Sequence, residues 1–437
     1  MKESRYNYFI EKDDRTICYN TLQDAILVFP TNAYRVFTRS LDEFKEHYPN
    51  NYRRMVEQKV LIEDDVDELA EIRLGNKMEV WHSRHFDLTV LPSMDCNLHC
   101  WYCFEDHVAD SRMSEAVQQR IVRYVEKRVA NGEITSLNLE FFGGEPLLDF
   151  DRIAYPLSMS LKKIMNEHGL PFTCFFITNA SLIDEEMVGK LAELNPSFQI
   201  TIDGNERRHD KIRFKKADGE GTYRQIIRNI HLLTERLENT YINVRVNYDE
   251  KTLEHIDELL NDLNDLDRRK VGLHFERVWQ TSAHVDGNDR LKQVIDLFLA
   301  HGFRVSYINW HARRCACKSD RYSSMAVNYD GKVYKCTGRN YTDAQSDGVL
   351  TEEGDVEWKP GKLAARLGKA TFENPMCLEC KMLPVCMGPC SQKMLETAPD
   401  QLKRVCTLGH LEMKMNEYIE YVLNNKMVVQ AAQKERE

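Results

Sequence analysis

The chain has 437 residues, a formal net charge of −10 and 42% hydrophobic residues, which is ordinary for a globular protein. The acidic balance argues against a nucleic-acid partner, because phosphate binding normally needs a clustered basic face. No apolar run is long enough to span a membrane, and residues 1–10 contain no signal core, so we expect a cytoplasmic protein with no membrane partner. Nothing demands more than a monomer. In a reducing compartment, thirteen cysteines favour metal or catalytic roles over disulfides.

The first 85 residues differ in pattern from those that follow. Three short strands are predicted over residues 6–10, 16–20 and 25–29, and helical stretches follow near 41–47 and 52–59. An acidic run from Glu63 to Glu71 predicts a solvated surface before the next domain.

Strand and helix patterns alternate from residue 86 to about residue 278. We predict strands over residues 86–91, 137–142, 172–178, 198–203, 242–248 and 272–278. We predict helices over residues 114–129, 155–167, 184–194, 223–237 and 253–263. Six such βα units predict an α/β fold, a partial (β/α)6 barrel of the TIM type, with its site at the carboxyl ends of the strands.

A short loop with three cysteines follows the first predicted barrel strand. Cys96, Cys100 and Cys103 could hold three irons of a [4Fe–4S] cube and leave the fourth iron open. A zinc site is the alternative, and its fourth ligand would be His99 or His107. The loop's position at the carboxyl end of a barrel strand favours a functional role.

With Tyr102 as its aromatic residue, this C-x3-C-x-Φ-C loop resembles the signature of radical S-adenosylmethionine (SAM) enzymes. The resemblance implies that the open iron chelates SAM. It also implies that reductive cleavage of SAM yields a 5′-deoxyadenosyl radical, which abstracts a hydrogen atom from the substrate.

Further residues resemble SAM-proximal motifs of that family. The turn Gly143-Gly144-Glu145-Pro146 is similar to its GGEP motif, in which glycines let the backbone approach SAM and Glu145 would accept from the SAM amino group. The other positions that the resemblance assigns to SAM binding are Tyr102, Asn179, Thr201, Asp203 and Arg213. Arg213 closes an HD-x-x-R stretch in which an arginine can face a carboxylate. The family more often has Ser at position 201 and Gly at position 180.

A second set of cysteines begins at residue 315. Its two halves, C-x13-G-x4-C from Cys317 to Cys336 and C-x2-C-x5-C-x3-C from Cys377 to Cys390, are followed by Cys406. Together they resemble a SPASM domain, the auxiliary-cluster module of many radical SAM enzymes.

The SPASM resemblance implies two auxiliary [4Fe–4S] clusters, and hence three clusters in all. The first would be bound by Cys317, Cys336 and Cys390, with Cys315 as the natural fourth ligand. The second would be bound by Cys377, Cys380, Cys386 and Cys406. The tight Cys315-Ala316-Cys317 spacing leaves open whether the first auxiliary cluster keeps an open iron.

We therefore expect three domains: a winged-helix-like peptide-recognition domain over residues 1–85, a radical SAM partial barrel over 86–300, and a SPASM domain with a closing helix over 301–437. SPASM enzymes mostly modify peptides or proteins. The resemblance thus implies a maturase that crosslinks a ribosomally made precursor through a C–C or thioether bond. The precursor's leader would add a strand to the N-terminal sheet, and flavodoxin or ferredoxin would donate electrons.

Two alternatives remain open. Anaerobic sulfatase maturases share both cysteine modules, but Thr337 stands where that subgroup has an Asp proposed as the base, which favours crosslinking. His274 and Glu276 are candidate bases, although a buried, satisfied His274 is the structural alternative. An alternative of another class is an electron carrier with iron–sulfur clusters, or a zinc-stabilised binding protein, with no chemistry of its own. Cys18 and Cys174 are expected to be core residues.

Overall fold

The computed structural model describes residues 1–281, 289–308 and 311–434, which divide into two compact units. The first unit contains residues 1–83, 309–322 and 364–423, and the second contains residues 84–308, 323–363 and those from 424 onward. The N-terminal segment thus shares a unit with most of the cysteine-rich segment. The three-domain division stays a prediction.

The strands of the described residues are short in the first unit and mostly longer in the second. They are β1 (Lys2–Glu3), β2 (Asn7–Lys12), β3 (Arg15–Asn20), β4 (Ala25–Pro30), β5 (Leu61–Ile62), β6 (His85–Leu91), β7 (Leu98–Cys100), β8 (Ser136–Phe141), β9 (Phe172–Thr178), β10 (Ser197–Thr201), β11 (Arg213–Lys215), β12 (Ile242–Tyr248), β13 (Val271–Arg277), β14 (Arg304–Tyr307), β15 (Ser324–Asn328), β16 (Lys332–Tyr334), β17 (Gly348–Leu350) and β18 (Val356–Trp358).

The α-helices lie between these strands and near the C-terminus. They are α1 (Thr31–Arg39), α2 (Leu41–His47), α3 (Pro49–Glu57), α4 (Glu68–His82), α5 (Glu115–Ala130), α6 (Tyr155–Glu167), α7 (Glu185–Leu194), α8 (Glu206–Ile212), α9 (Tyr223–Arg236), α10 (Glu250–Leu253), α11 (Ile256–Leu263), α12 (Asp289–Ala300), α13 (Lys362–Leu367), α14 (Pro375–Leu378), α15 (Leu383–Cys386), α16 (Ser391–Glu396) and α17 (Met415–Lys434). Over the described ranges, none of the helices is both long and apolar enough to cross a membrane.

One large sheet organises the second unit, with strand order β14-β13-β12-β10-β9-β8-β6-β15-β16-β17-β18. All neighbours from β14 to β15 are parallel, and β16 to β18 continue the sheet antiparallel. The prediction of an α/β fold with a parallel sheet is confirmed. The strands β14 and β15, which flank the six predicted ones, lie beyond the region where the alternating pattern was evident.

Strand β12 shows why this sheet forms where the sequence alternates. Val244, Val246 and Tyr248 are buried, while Asn243, Arg245 and Asn247 point to the other face and are less buried. The crossover helices begin at side-chain caps, such as Ser114 for α5 and Asp184 for α7. The polar face of the sheet is therefore free to carry the site.

The first unit begins with the antiparallel meander β2-β3-β4, in which Phe9 lies opposite Cys18 and Cys18 opposite Leu27. Cys18 is a buried core residue here, and Cys174 is buried in β9. The solvated surface predicted for the acidic run is wrong at Glu68. This carboxylate is buried and accepts hydrogen bonds from Ser4 Oγ at 2.5 Å and from the Arg5 backbone N–H at 3.0 Å.

A second core in the first unit joins distant parts of the chain. Buried side chains of the N-terminal segment pack with those of the cysteine-rich segment; the cluster contains Tyr6, Ile72, Phe372, Cys377, Leu383 and Met387. Hydrogen bonds reinforce it: Lys381 Nζ donates to the Asn7 carbonyl at 2.9 Å, and Thr21 Oγ1 donates to the Lys381 carbonyl at 2.6 Å. The two segments therefore fold as one body.

Candidate functional site

The three-cysteine loop leaves the sheet at the carboxyl end of β6. Strand β7, inside this loop, pairs antiparallel with β11, which places Arg213 opposite Cys100. Cys96 is buried, Cys100 is partly buried and Cys103 is exposed. The loop thus presents its thiols from the interior to the surface, as a site reached from outside requires.

Burial raises the pKa of Cys96 to about 12 and that of Cys103 to about 11. Iron binding would offset this cost, since it needs the thiolate form. Among the described residues, no three Cys, His, Asp or Glu side chains converge on one ion position, so the ligand sets remain predictions. His107 Nε2 lies 3.7 Å from Cys103 Sγ, while His99 stacks on Phe214.

Tyr102 is held at its hydroxyl by three buried or half-buried partners. The hydroxyl donates to Asp203 Oδ2 and accepts from Arg213 Nη1 at 2.9 Å and Asn247 Nδ2 at 3.0 Å. The Asn247 backbone N–H also donates to Asp203 Oδ1 at 3.2 Å. The ends of β10 and β12 and the start of β11 therefore clamp the cysteine loop in place.

Arg213 carries an unmet hydrogen-bond donor. Its side chain is 11% exposed and lies 3.9 Å from Asp203, but its Nε is buried and finds no partner within the described part of the chain. A buried, unpaired N–H of this kind is costly. Because the planar guanidinium matches a carboxylate, this donor fits the carboxylate of SAM.

The GGEP turn follows β8 and requires its glycines. Gly143 has φ +79° and Gly144 has φ +44°, in the left-handed region. A Cβ on Gly144 would lie 2.0 Å from the carbonyl oxygen of Asp95, in the cysteine loop. The turn can therefore touch that loop only through bare backbone, and Pro146 then begins a short 310 helix.

Glu145 is fully buried, and burial raises its pKa. Its Oε1 accepts from Thr178 Oγ1 at 2.6 Å and from the Leu147 N–H at 3.0 Å, and its Oε2 accepts from the Asn179 N–H at 2.8 Å. A carboxylate oxygen takes about two donors, so Oε2 keeps one free position. That position fits the SAM amino group.

Asn179 ties the end of β9 to the cysteine loop. Its Nδ2 donates to Asn97 Oδ1 at 2.9 Å, and its Oδ1 accepts from Ser181 Oγ at 2.6 Å. Ala180, which lies between Asn179 and Ser181 in the chain, has φ +59°, a value that a glycine adopts without strain. The position at which the family more often has Gly is thus a left-handed one. Thr201, the last residue of β10, is buried opposite Arg245.

His274 and Glu276 lie on the same face of β13, with His274 Nε2 3.3 Å from Glu276 Oε2. Across the sheet they stand opposite Arg245 and Asn247, which places them on the face that meets Tyr102. His274 Nδ1 is buried without a hydrogen-bond partner among the described residues. Of the two ring nitrogens of His274, therefore, Nε2 lies near a hydrogen-bond partner and Nδ1 does not.

Two residues of this site were not among the predicted site residues, although His209 belongs to the HD-x-x-R stretch that Arg213 closes. His209 is buried, its Nδ1 accepts from the Asp203 N–H at 3.2 Å and its Nε2 lies 3.1 Å from Thr222 Oγ1. Glu105 Oε2 accepts from the Gly144 N–H at 2.8 Å, and burial raises the pKa of Glu105 to about 7. Glu105 follows Cys103 by two positions, which is the one local signal that could have drawn attention to it.

Four predicted ligands of the cysteine-rich segment lie within electrostatic range of one another. The pKa of Cys377 is raised to about 11 by burial and then by the neighbouring thiols of Cys386, Cys380 and Cys406. Cys315 and Cys317 are neighbours, and burial raises the pKa of Cys315 to about 12. Cys390 precedes α16 in the same unit, whereas Cys336 lies in the second unit after β16.

Comparisons with known proteins agree with this geometry. Residues 90–263 match the radical SAM superfamily. The radical SAM cyclopropyl synthase TigE of Paramaledivibacter caminithermalis is 23% identical over 340 residues, which cover 69% of this chain and 67% of TigE. The cysteine-type anaerobic sulfatase-maturating enzyme of Clostridium perfringens strain 13 is 23% identical over 346 residues, or 68% of this chain and 86% of that enzyme.

The fold also matches a solved structure. Streptococcus suis SuiB, bound to its precursor peptide SuiA, superposes with a TM-score of 0.54 at 15% identity and covers 93% of this chain and 99% of SuiB. The cysteine loop and the parallel strands β8, β9, β10 and β12 lie within the matched residues 90–263. Residues 90–263 therefore form a radical SAM domain, and the chain is an enzyme.

Proposed function

We propose that this enzyme is a peptide maturase that uses a SAM-derived radical to install a crosslink in a ribosomally made precursor. The observation that carries the SAM site is the unmet donor of Arg213 together with the free acceptor position of Glu145, two side chains whose charges interact. A charge-complementary pair of this kind suits the carboxylate and ammonium groups of an amino acid.

Each site residue has a separate role in this proposal. Cys96, Cys100 and Cys103 hold a [4Fe–4S] cluster, and Tyr102 is fixed by Asp203, Arg213 and Asn247 so that the loop does not shift. When bound, SAM and this cluster supply reductive C–S cleavage and hydrogen-atom abstraction. The Thr178 hydroxyl keeps Glu145 aimed, and the glycine turn lets the backbone approach SAM.

Crosslinking removes two hydrogen atoms from the peptide. Bound SAM would supply the acceptor for one of them as a hydrogen atom, and the other must leave as a proton and an electron. We assign the proton to the Glu276–His274 pair, because Glu276 is 51% exposed on the face that carries the site and His274 supports it from the interior. The later cysteines would hold two auxiliary clusters, which would supply an electron acceptor, so that three clusters and about twelve irons are expected per chain.

A peptide substrate is supported by the SuiB–SuiA likeness and by the N-terminal meander. Strands β2 and β4 are the edges of that sheet, and either could receive a leader peptide as an added strand. This keeps the winged-helix-like recognition role as a proposal. The proposal also includes a small electron donor of the flavodoxin or ferredoxin class and a monomeric state. It places the protein in the cytoplasm, a location with which thirteen free thiols are consistent.

A second candidate is oxidation of a single Cys or Ser side chain in a protein, which the similarity to the Clostridium perfringens enzyme favours. Thr337 offers no carboxylate after Cys336, but Glu276 could serve either reaction.

Product analysis separates the two candidates. The reconstituted holoenzyme would be given SAM, dithionite and a candidate precursor peptide chosen from short open reading frames near its gene, and the products would be analysed by mass spectrometry. Crosslinking predicts the loss of two hydrogen atoms and a linkage that survives proteolysis. A carbonyl on one residue, without a linkage, would establish the second candidate instead.

A further inference from the structure

Three aromatic rings follow one another at the carboxyl edge of the sheet. Trp279 comes two residues after β13, Phe104 directly follows Cys103, and Phe142 directly follows β8. The ring centroids of Trp279 and Phe104 lie 6.5 Å apart, and those of Phe104 and Phe142 lie 6.5 Å apart at an interplanar angle of 28°. Elements distant in sequence thus build one continuous aromatic row, hereafter the aromatic shelf.

The aromatic shelf runs from solvent to core. Trp279 is 67% exposed, whereas Phe142 packs on a buried cluster that includes Leu91, Met94 and Tyr334. The Gln280 side-chain amide donates to the Tyr102 carbonyl, which fixes the Trp279 segment against the cysteine loop. The exposed indole of Trp279 therefore has apolar area that a partner could bury at the edge of the site. Aromatic side chains of this kind are common anchors for binding partners.

We propose that the aromatic shelf is a specificity subsite that binds an apolar side chain, aromatic or branched aliphatic, of the substrate peptide beside the residue to be modified. This proposal rests on the proposed function. The occupant follows from continuity with the site, since the middle ring, Phe104, is adjacent to Cys103 in the chain. A peptide side chain stacked there would be held next to the cysteine loop.

A charged occupant is the natural competitor. Glu276 lies three residues before Trp279 and is exposed, so a lysine could use both its carboxylate and the indole face. Phe104 and Phe142 are only partly buried, however, and their apolar area beside the indole favours an apolar side chain. The test must therefore compare an apolar probe with a cationic one.

The probes are acetyl-Gly-Gly-Phe-Gly-Gly-amide and its Lys analogue, titrated into the reconstituted holoenzyme and followed by proton NMR line broadening. We expect the Phe peptide to bind more tightly than the Lys peptide. Loss of the indole in Trp279→Ala should weaken the Phe peptide by at least about fivefold, corresponding to about 1 kcal/mol. Phe104→Leu, which keeps apolar volume, should weaken it less.

Trp81→Ala is the matched control, because Trp81 is 51% exposed but lies on α4 of the first unit. It should leave the affinity of the Phe peptide unchanged. Equal affinity in the wild type, Trp279→Ala and Phe104→Ala would overturn the proposal, and so would tighter binding of the Lys peptide. SAM cleavage is measured in the same wild-type samples without peptide. A wild-type protein that cleaves no SAM would therefore refute the proposed function, but it would not refute the proposed binding of a side chain by the aromatic shelf.

Discussion

The His209 imidazole shows how one buried side chain can set a pH dependence. Burial, and then the charge of Arg213, lower its pKa well below the usual value, so the folded protein keeps it neutral. The unfolded chain binds a proton near pH 6.5 and the folded chain does not. Stability supplied by neutral His209 is thus complete above about pH 6.5 and is lost as the pH falls.

We predict that His209→Gln flattens the acid limb of stability. Below pH 6, the free energy of unfolding of the wild type should fall by about 1.4 kcal/mol more per pH unit than that of the variant. Urea unfolding at several pH values measures this. Thr222→Val removes the hydroxyl partner without removing a titrating group, so it should lower stability and keep the slope. Parallel slopes for wild type and His209→Gln would refute the account.

Ala180 offers a second test at this scale, because its φ of +59° suits glycine. Ala180→Gly should raise the free energy of unfolding by roughly 0.5–1 kcal/mol, since left-handed strain of about 1–2 kcal/mol exceeds the entropy that glycine loses. The control is Ala154→Gly, equally buried but right-handed, which should lose about 1 kcal/mol. Denaturant unfolding of both variants measures these changes in the free energy of unfolding. An equal loss of stability in the two variants would contradict the strain argument.

Glu276 is the residue on which the proposed proton transfer depends. Glu276→Gln keeps its size and removes the base, so product formation should fall by about 10²-fold or more. SAM binding should remain, since the substitution leaves Arg213 and Glu145, which carry the proposed SAM contacts, unchanged. Steady-state rates and SAM affinity, measured together, check this; an unchanged rate would exclude Glu276 as the base.

Among the elements, the core shared by the N-terminal and cysteine-rich segments makes a prediction about cooperativity. Leu383 is buried in the cluster with Tyr6 and Ile72. Leu383→Ala should cost about 2–5 kcal/mol and should lower hydrogen-exchange protection in β2 and β3 as well as near residue 383. Leu74→Ala, at a side chain 63% exposed on α4, is the control and should change neither. Loss of protection confined to the cysteine-rich segment would show that the two segments fold separately.

The elements also show which parts of the fold a sequence can predict. The bounds of β9 and β12 agree with the predicted residues, because an alternating or continuous apolar run bounded by polar turns identifies a strand. The break in the helix predicted over residues 253–263 was missed. There His255 adopts φ +52° between α10 and α11, a backbone feature with no glycine to announce it.

Candidate site residues could be named only where a motif carries them. Cys96, Glu145 and Arg213 were identified from local patterns. By contrast, Asn247 reaches Asp203 through a contact between neighbouring strands, which no local pattern encodes. His209 lies in the HD-x-x-R stretch, but its hydrogen bond with the Asp203 N–H was not predicted. The shared core of Tyr6 and Phe372 was missed for the same reason, since only the folded chain brings them together.

For the whole molecule, the central claim is that the three thiols of the cysteine loop support SAM cleavage. The most direct measurement is 5′-deoxyadenosine formed by the anaerobically reconstituted, dithionite-reduced protein with SAM. The wild type should form it, and Cys100→Ala should form none and lose about four of about twelve irons. Cys174→Ala, which removes a buried thiol outside the predicted ligand sets, should keep both. A wild-type protein that holds its iron yet forms no 5′-deoxyadenosine would contradict the account.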